Sequence, residues 1–177
     1  MRLGVDEVGV TELMGVTEHA RAMATAAGAL GLDATGTPLV APAAAADTDD
    51  TVRGLLDEIG AWWRTASGES EVPLVWRILA RNPHYIEATW RKDRALMESG
   101  CLSARDKHRT ALGVAMAGRG RYMIDYHAAV VRRMGDTDQD ILEVLGVVDH
   151  YTTLNTLSEG MQIESDIRPS SPPRHGS

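Results

Sequence analysis

Cysteine is nearly absent: a single thiol, Cys101, in 177 residues. One thiol closes no internal disulfide and forms no Cys-x-x-Cys redox pair. A disulfide-stapled secreted domain, a cysteine zinc site and a dithiol cycle within the chain are therefore excluded. Phenylalanine is missing altogether. Trp62, Trp63, Trp76 and Trp90 must then supply the bulky aromatic filling. Long hydrophobic runs are missing too. The longest uncharged stretch, Ala34 to Ala46, carries two prolines and is short of the roughly 20 apolar residues of a spanning helix. The start, Met1-Arg2-Leu3-Gly4-Val5-Asp6-Glu7, has acids where an export signal is apolar. A cytoplasmic protein without membrane partners is expected. Basic residues are outnumbered, 18 against 25, for a net charge of −7. Such a surface repels phosphate backbones, so nucleic acid is not an expected partner.

What remains is helix-forming. The 44% hydrophobic content suffices for a core, and strand-like alternation is scarce. An all-α bundle of six to seven helices is predicted. Helical spacing marks a first helix over Thr11–Leu30 and a second over Thr51–Ala66. Residues 34–50, rich in Ala, Pro, Thr and Asp, separate them as a mobile loop. Pro73 and Pro83 suit the first positions of a third and a fourth helix, the latter reaching Glu98. Ser103 and Asp106 resemble a capping box for a fifth helix, 103–118. A sixth follows over 121–134, and Thr137 caps a seventh over 138–160. The organisation predicted is an N-terminal helical extension, 1–70, a helical domain, 71–165, and a disordered Pro- and Ser-rich tail, 166–177.

Three of the six histidines fall on apolar stripes. His108 aligns with Leu112 and Ala115, His127 with Ile124, Ala128 and Val131, and His150 with Leu142, Gly146, Leu154 and Leu157. Each could be a core histidine satisfied by a carbonyl. Together they could face a shared polar pocket, taking or giving protons near the ordinary imidazole pKa of about 6.5. Three neutral imidazoles could also hold iron or zinc, with Asp149 or Glu159 nearby. Tyr122, Tyr126 and Tyr151 could orient a substrate or simply pack. Cys101 reads as a small packing residue.

Four segments, between Trp76 and Asn155, resemble the carboxymuconolactone decarboxylase and alkylhydroperoxidase D-like superfamily. They are Trp76–Pro83 with Glu87–Trp90, Leu102–Ala115, Arg121–His127, and Asp140–Leu145 with Tyr151 and Leu154-Asn155. In alkylhydroperoxidase-like members the third segment looks like Cys-x-Tyr-Cys-x-x-x-His. Laid on this chain, the thiol positions fall on Gly120 and Met123, the tyrosine on Tyr122 and the histidine on His127. The family's acidic proton-relay position falls on His108. Peroxide reduction needs one thiolate to attack and a second thiol to resolve, so the resemblance implies a member without that chemistry.

The decarboxylase branch manages without the thiol pair and without a redox cofactor. The resemblance then implies a helical homo-oligomer, a trimer or hexamer, with its pocket near subunit contacts. The expected enzyme is of decarboxylase, lyase or isomerase type and acts on a small organic acid, lactone or phenol, as in a tailoring step of specialised metabolism. His127, His108 and Tyr122 are the candidate catalytic residues. His150, Tyr126, Met123, Trp90 and Tyr151 are candidates for substrate binding. No cofactor is expected. Two alternatives stay open: an iron or zinc enzyme on His108, His127 and His150, and a non-catalytic ligand-binding paralogue.

Overall fold

The computed structural model describes residues 6–34, 36–44 and 48–164. The predicted tail, 166–177, lies outside them. Seven helices follow one another: α1 (Glu7–Ala29), α2 (Asp50–Ser67), α3 (Leu74–Leu79), α4 (Pro83–Met97), α5 (Ala104–Ala117), α6 (Arg121–Arg133) and α7 (Asp138–Gly160). No strand occurs among the described residues.

Local chemistry sets the ends. Asp6, Asp49, Asn82, Ser103 and Thr137 each accept an orphan N–H of the first turn that follows. At Thr137 the box is complete, because Asp140 returns a bond to the cap's own N–H. At Ser103 the Asp106 carboxylate instead accepts from the hydroxyl, at 2.7 Å. Gly135 follows α6 at φ 97°, a left-handed position where a side chain would be strained.

Helix α5 lies at the centre, packed against α1, α6 and α7, while α2 rests on α4 and α6. Described residues from the first 70 take part in the main core. Met23, Ala27, Val52, Leu55, Ile59 and Trp63 share one core with Trp76, Ile86, Trp90, Met123 and Val130. The described part of the 34–50 loop is irregular and tied down, with Leu39 N–H donating to Leu30 O and Ala43 N–H to Arg77 O.

A clasp fixes the start of α1. The Glu12 carboxylate accepts from Leu102 N–H at 2.8 Å and faces the buried Lys107 ammonium at 3.2 Å. Lys107 also donates to Glu98 O at 2.6 Å. Gly100 lies directly beneath this clasp: a Cβ there would lie 1.9 Å from Glu12 Oε1 and would push the carboxylate aside.

Helix α7 departs from expectation. None of its 23 residues is buried. It carries two apolar stripes. Ile141, Val144 and Val148 pack toward α5, while Leu142, Leu145, Leu154 and Leu157 face outward. His150 belongs to the outward side and is exposed. Periodicity marks both stripes and does not say which one meets the core. Among the described residues no helix is long and apolar enough to cross a membrane.

Candidate active site

Two of the three singled-out histidines meet. His108, from the core-facing stripe of α5, and His127, from that of α6, approach with Nδ1···Nδ1 at 3.2 Å. Both are buried, at 2% and 4% exposure. A contact between two ring nitrogens is a hydrogen bond only when one carries the proton and the other a lone pair. At least one imidazole is therefore neutral. Burial, opposed by the Asp93 charge and assisted by Arg94, lowers the His108 pKa to about 4. Burial also puts His127 well below the ordinary range, with His108 and His19 adding to the effect. Both rings are neutral at pH 7. Titration near neutrality, expected from the unperturbed imidazole, gives way to desolvation of the charged form.

The pair is not symmetric. His127 sits behind, its Nε2 buried without a hydrogen-bond partner. His108 lines a cavity of about 410 Å³ together with Trp62, Arg94, Met97, Glu98, Ser99, Ala104 and Met134. Since His127 occupies Nδ1 of His108, the nitrogen left for a ligand is Nε2. The Trp62 ring stacks near His108, centroids 6.2 Å apart. The Arg94 guanidinium lies 5.5 Å from the ring centres of both Trp62 and Trp90 and pairs with Glu98.

The other candidates have structural partners. The Tyr122 hydroxyl accepts Val75 N–H at 3.1 Å and caps the short α3. The Tyr126 hydroxyl accepts from Trp76 Nε1 at 3.4 Å, and its ring stacks on Trp63 at 4.5 Å. Burial raises both phenol pKa values, Tyr126 strongly, so neither offers a phenolate. Trp90 is fully buried, its indole N–H on Glu58 at 2.9 Å. Met123 fills the core. None of these four lines the cavity at His108.

His150 and Tyr151 are exposed on α7. Tyr151 lines a separate groove of about 500 Å³ between α5 and α7. The three-histidine ligand set is thereby dissolved: His150 is not with the pair. Among the described residues no group of three or more His, Cys, Asp or Glu is placed to hold a metal. Cys101 is exposed rather than packed.

Sequence reasoning passed over two members. His19, on α1, binds Asp93, on α4, with Nε2···Oδ1 at 2.9 Å, both buried. The signals were present. His19 stands among Val16, Ala20 and Met23 on the inner stripe of α1, and Asp93 continues Ile86, Trp90 and Met97 on that of α4.

Residues 83–163 match the carboxymuconolactone decarboxylase family. The fold resembles the crystal structure of an alkylhydroperoxidase AhpD core from Rhodospirillum rubrum, with a TM-score of 0.62 and 27% sequence identity. The likeness covers 74% of this chain and 96% of that one, which is more of the chain than residues 83–163.

Residues 83–163 carry the match to the carboxymuconolactone decarboxylase family, and the fold around them is AhpD-like.

No curated protein matches the sequence. The resemblance sets Gly120 and Met123 at the thiol positions. In the structure Gly120 abuts Ala24 of α1, which would lie 3.4 Å from an added Cβ, and Met123 is buried. Here one imidazole, that of His108, lines the cavity with His127 behind it, and the one thiol lies in the α4–α5 loop.

Proposed function

We propose that this protein is a thiol-independent enzyme that uses His108 as a general base on a small, planar organic acid. The carrying observation is the neutral His108–His127 pair opening onto a mouth formed by Trp62 and Arg94. A neutral imidazole needs no prior deprotonation to accept a proton. When His108 donates Nδ1–H to His127, its Nε2 lone pair is left for the cavity. The proton then moves from substrate to Nε2, and the positive charge spreads toward the His127 side through the shared hydrogen bond.

Arg94 gives the substrate class. Its guanidinium can hold a carboxylate in a two-point contact, and Trp62 offers a face for a lactone or phenolic ring. Isomerisation begins with such a proton movement from carbon, lactone opening with one from the attacking water, and decarboxylation uses the reverse transfer, from the protonated ring to the carbon that CO2 leaves. His127 acts through His108 as a positioning residue. The dithiol cycle of a peroxidase has no partners here, because the one cysteine is exposed in the α4–α5 loop.

The experiment is turnover of a panel of small lactone acids and phenolic acids. Removing an acid–base group costs about 10²–10⁴-fold. His108→Ala and His127→Ala should each lower kcat by at least about a hundredfold, with KM little changed for His127→Ala and the fold retained. Undiminished turnover in either variant overturns this assignment. Ligand binding with no turnover in the wild type would favour a binding role for the same cavity.

Homo-oligomerisation, implied by the superfamily, is proposed to use α7. The outward row of Leu142, Leu145, Leu154 and Leu157 supports that reading.

A further inference from the structure

We infer that Asp93, held by His19, is the counter-ion of the His108–His127 pair, so that α1 completes the acid–base site. The inference rests on the general-base reading above and adds the residues that make a buried base workable.

A neutral buried base has a difficulty. Once it takes a proton, a positive charge sits in a medium that solvates it poorly. Burial is the largest influence on both rings and acts against that charge. Catalysis by such a pair requires a fixed negative charge close by, placed before the proton arrives.

Asp93 meets the requirement. It is buried on α4, next to Arg94 and one turn before Met97, both of which line the His108 cavity, and its charge favours the protonated ring. Among the described residues the other buried carboxylate, Asp136, is committed to Arg105 and Arg109. The Asp93 Oδ1 lies 2.9 Å from His19 Nε2, within hydrogen-bond distance. That contact fixes the carboxylate through one oxygen. The other, Oδ2, is buried with no hydrogen-bond partner. A buried carboxylate oxygen left unpaired costs stability. Its retention is understandable if its negative charge has a use. His127 Nε2 is likewise buried and unpaired.

The surroundings of His108 are otherwise poor in compensating charge. From α1 the group includes His19, from α4 Asp93 and Arg94, and from α6 His127 and Tyr126. Arg94 opposes protonation of His108. On α2, Glu58 is engaged by Trp90 and Arg91. Asp93 is therefore the carboxylate available to offset an imidazolium. It is a positioning residue, since it does not line the cavity.

The test is made on the resting, full-length protein and needs no substrate. The ring nitrogens of His108 and His127 are followed by ¹⁵N NMR in the wild type, Asp93→Asn and His19→Gln. A carboxylate close to an imidazole is worth about one pH unit or more in its midpoint. With the wild-type midpoint at about 4, His108 is roughly a quarter protonated at pH 4.5. In Asp93→Asn that fraction should fall to about 3%. His19→Gln, whose amide can donate to Oδ1, should stay near the wild type. An unchanged His108 fraction in Asp93→Asn overturns the inference. Should that variant not fold, the wild-type Asp93 side-chain ¹³C shift decides: a carboxylate at pH 7 supports the assignment, and a protonated carboxyl refutes it. Coupling between Asp93 and His108 in a protein whose His108→Ala variant turns over normally would leave the counter-ion standing and remove the general-base reading instead.

Discussion

The lowered pKa of His108 has a consequence for folding that can be measured without knowing any substrate. In the unfolded chain His108 binds a proton near the ordinary value of 6.5, and in the fold only near 4. Between those limits the unfolded state holds more protons, so stability rises with pH. The contribution is complete above about 6.5, falls as pH drops below that value, and levels off near 4. From 6.5 down to pH 5 the loss is 1.5 units at 1.36 kcal/mol each, or about 2 kcal/mol for this residue. His127 acts in the same direction.

The perturbation is His108→Gln, which keeps a polar side chain and removes the titration. Urea unfolding is recorded at pH 7 and pH 5 at one fixed protomer concentration. The wild type should lose about 2 kcal/mol more than the variant between the two pH values, a difference of about 1 M in urea midpoint for a slope near 2 kcal/mol/M. Comparing pH dependence within each protein cancels any packing cost of the substitution. The carboxylates with lowered pKa, such as Glu58 and Asp140, titrate below this window and cancel as well. Equal pH dependence in the two proteins would refute the claim that His108 is held neutral by burial.

Other outcomes follow from the cavity and from α7. Arg94→Leu should raise KM for acidic ligands by about tenfold or more, as loss of a charge-assisted contact predicts, with a smaller effect on kcat; an unchanged KM would remove Arg94 as the carboxylate holder. Leu145→Glu combined with Leu154→Glu should convert an oligomer to a monomer, read by light scattering on a sizing column. A wild type that is already monomeric at micromolar concentration would count against an α7 interface.

The helices were readable because local signals and packing agree. Pro83 at the first turn of α4, the Thr137 box and the glycine after α6 place boundaries within a few residues of those observed. His108 and His127 were readable for a similar reason: each sits on the single buried stripe of its helix, and the two stripes face one another. His150 was misplaced because α7 is apolar on two sides, and a repeat of 3.6 residues says nothing about which side has a neighbour. Tyr122 and Tyr126 show a further limit. Either could orient a substrate or pack, and whether a phenol meets a ligand or a backbone amide depends on α3, which is distant in sequence. The Asp93–His19 contact spans 74 positions. Each member carries a polar residue on an apolar stripe, so the anomaly was visible in both helices. Their pairing is a property of the tertiary fold, as is the wall that Trp62 makes with Arg94.

The lone thiol, finally, is an opportunity for spectroscopy. Cys101 is exposed, and it lies in the same short loop as Glu98 and Ser99, which line the His108 cavity. A maleimide dye therefore attaches at one place only, in the loop that contributes Ser99 to the cavity, and leaves the imidazoles untouched. Its emission would report the arrival of candidate acids in real time, so that ligands can be screened before any reaction product is known.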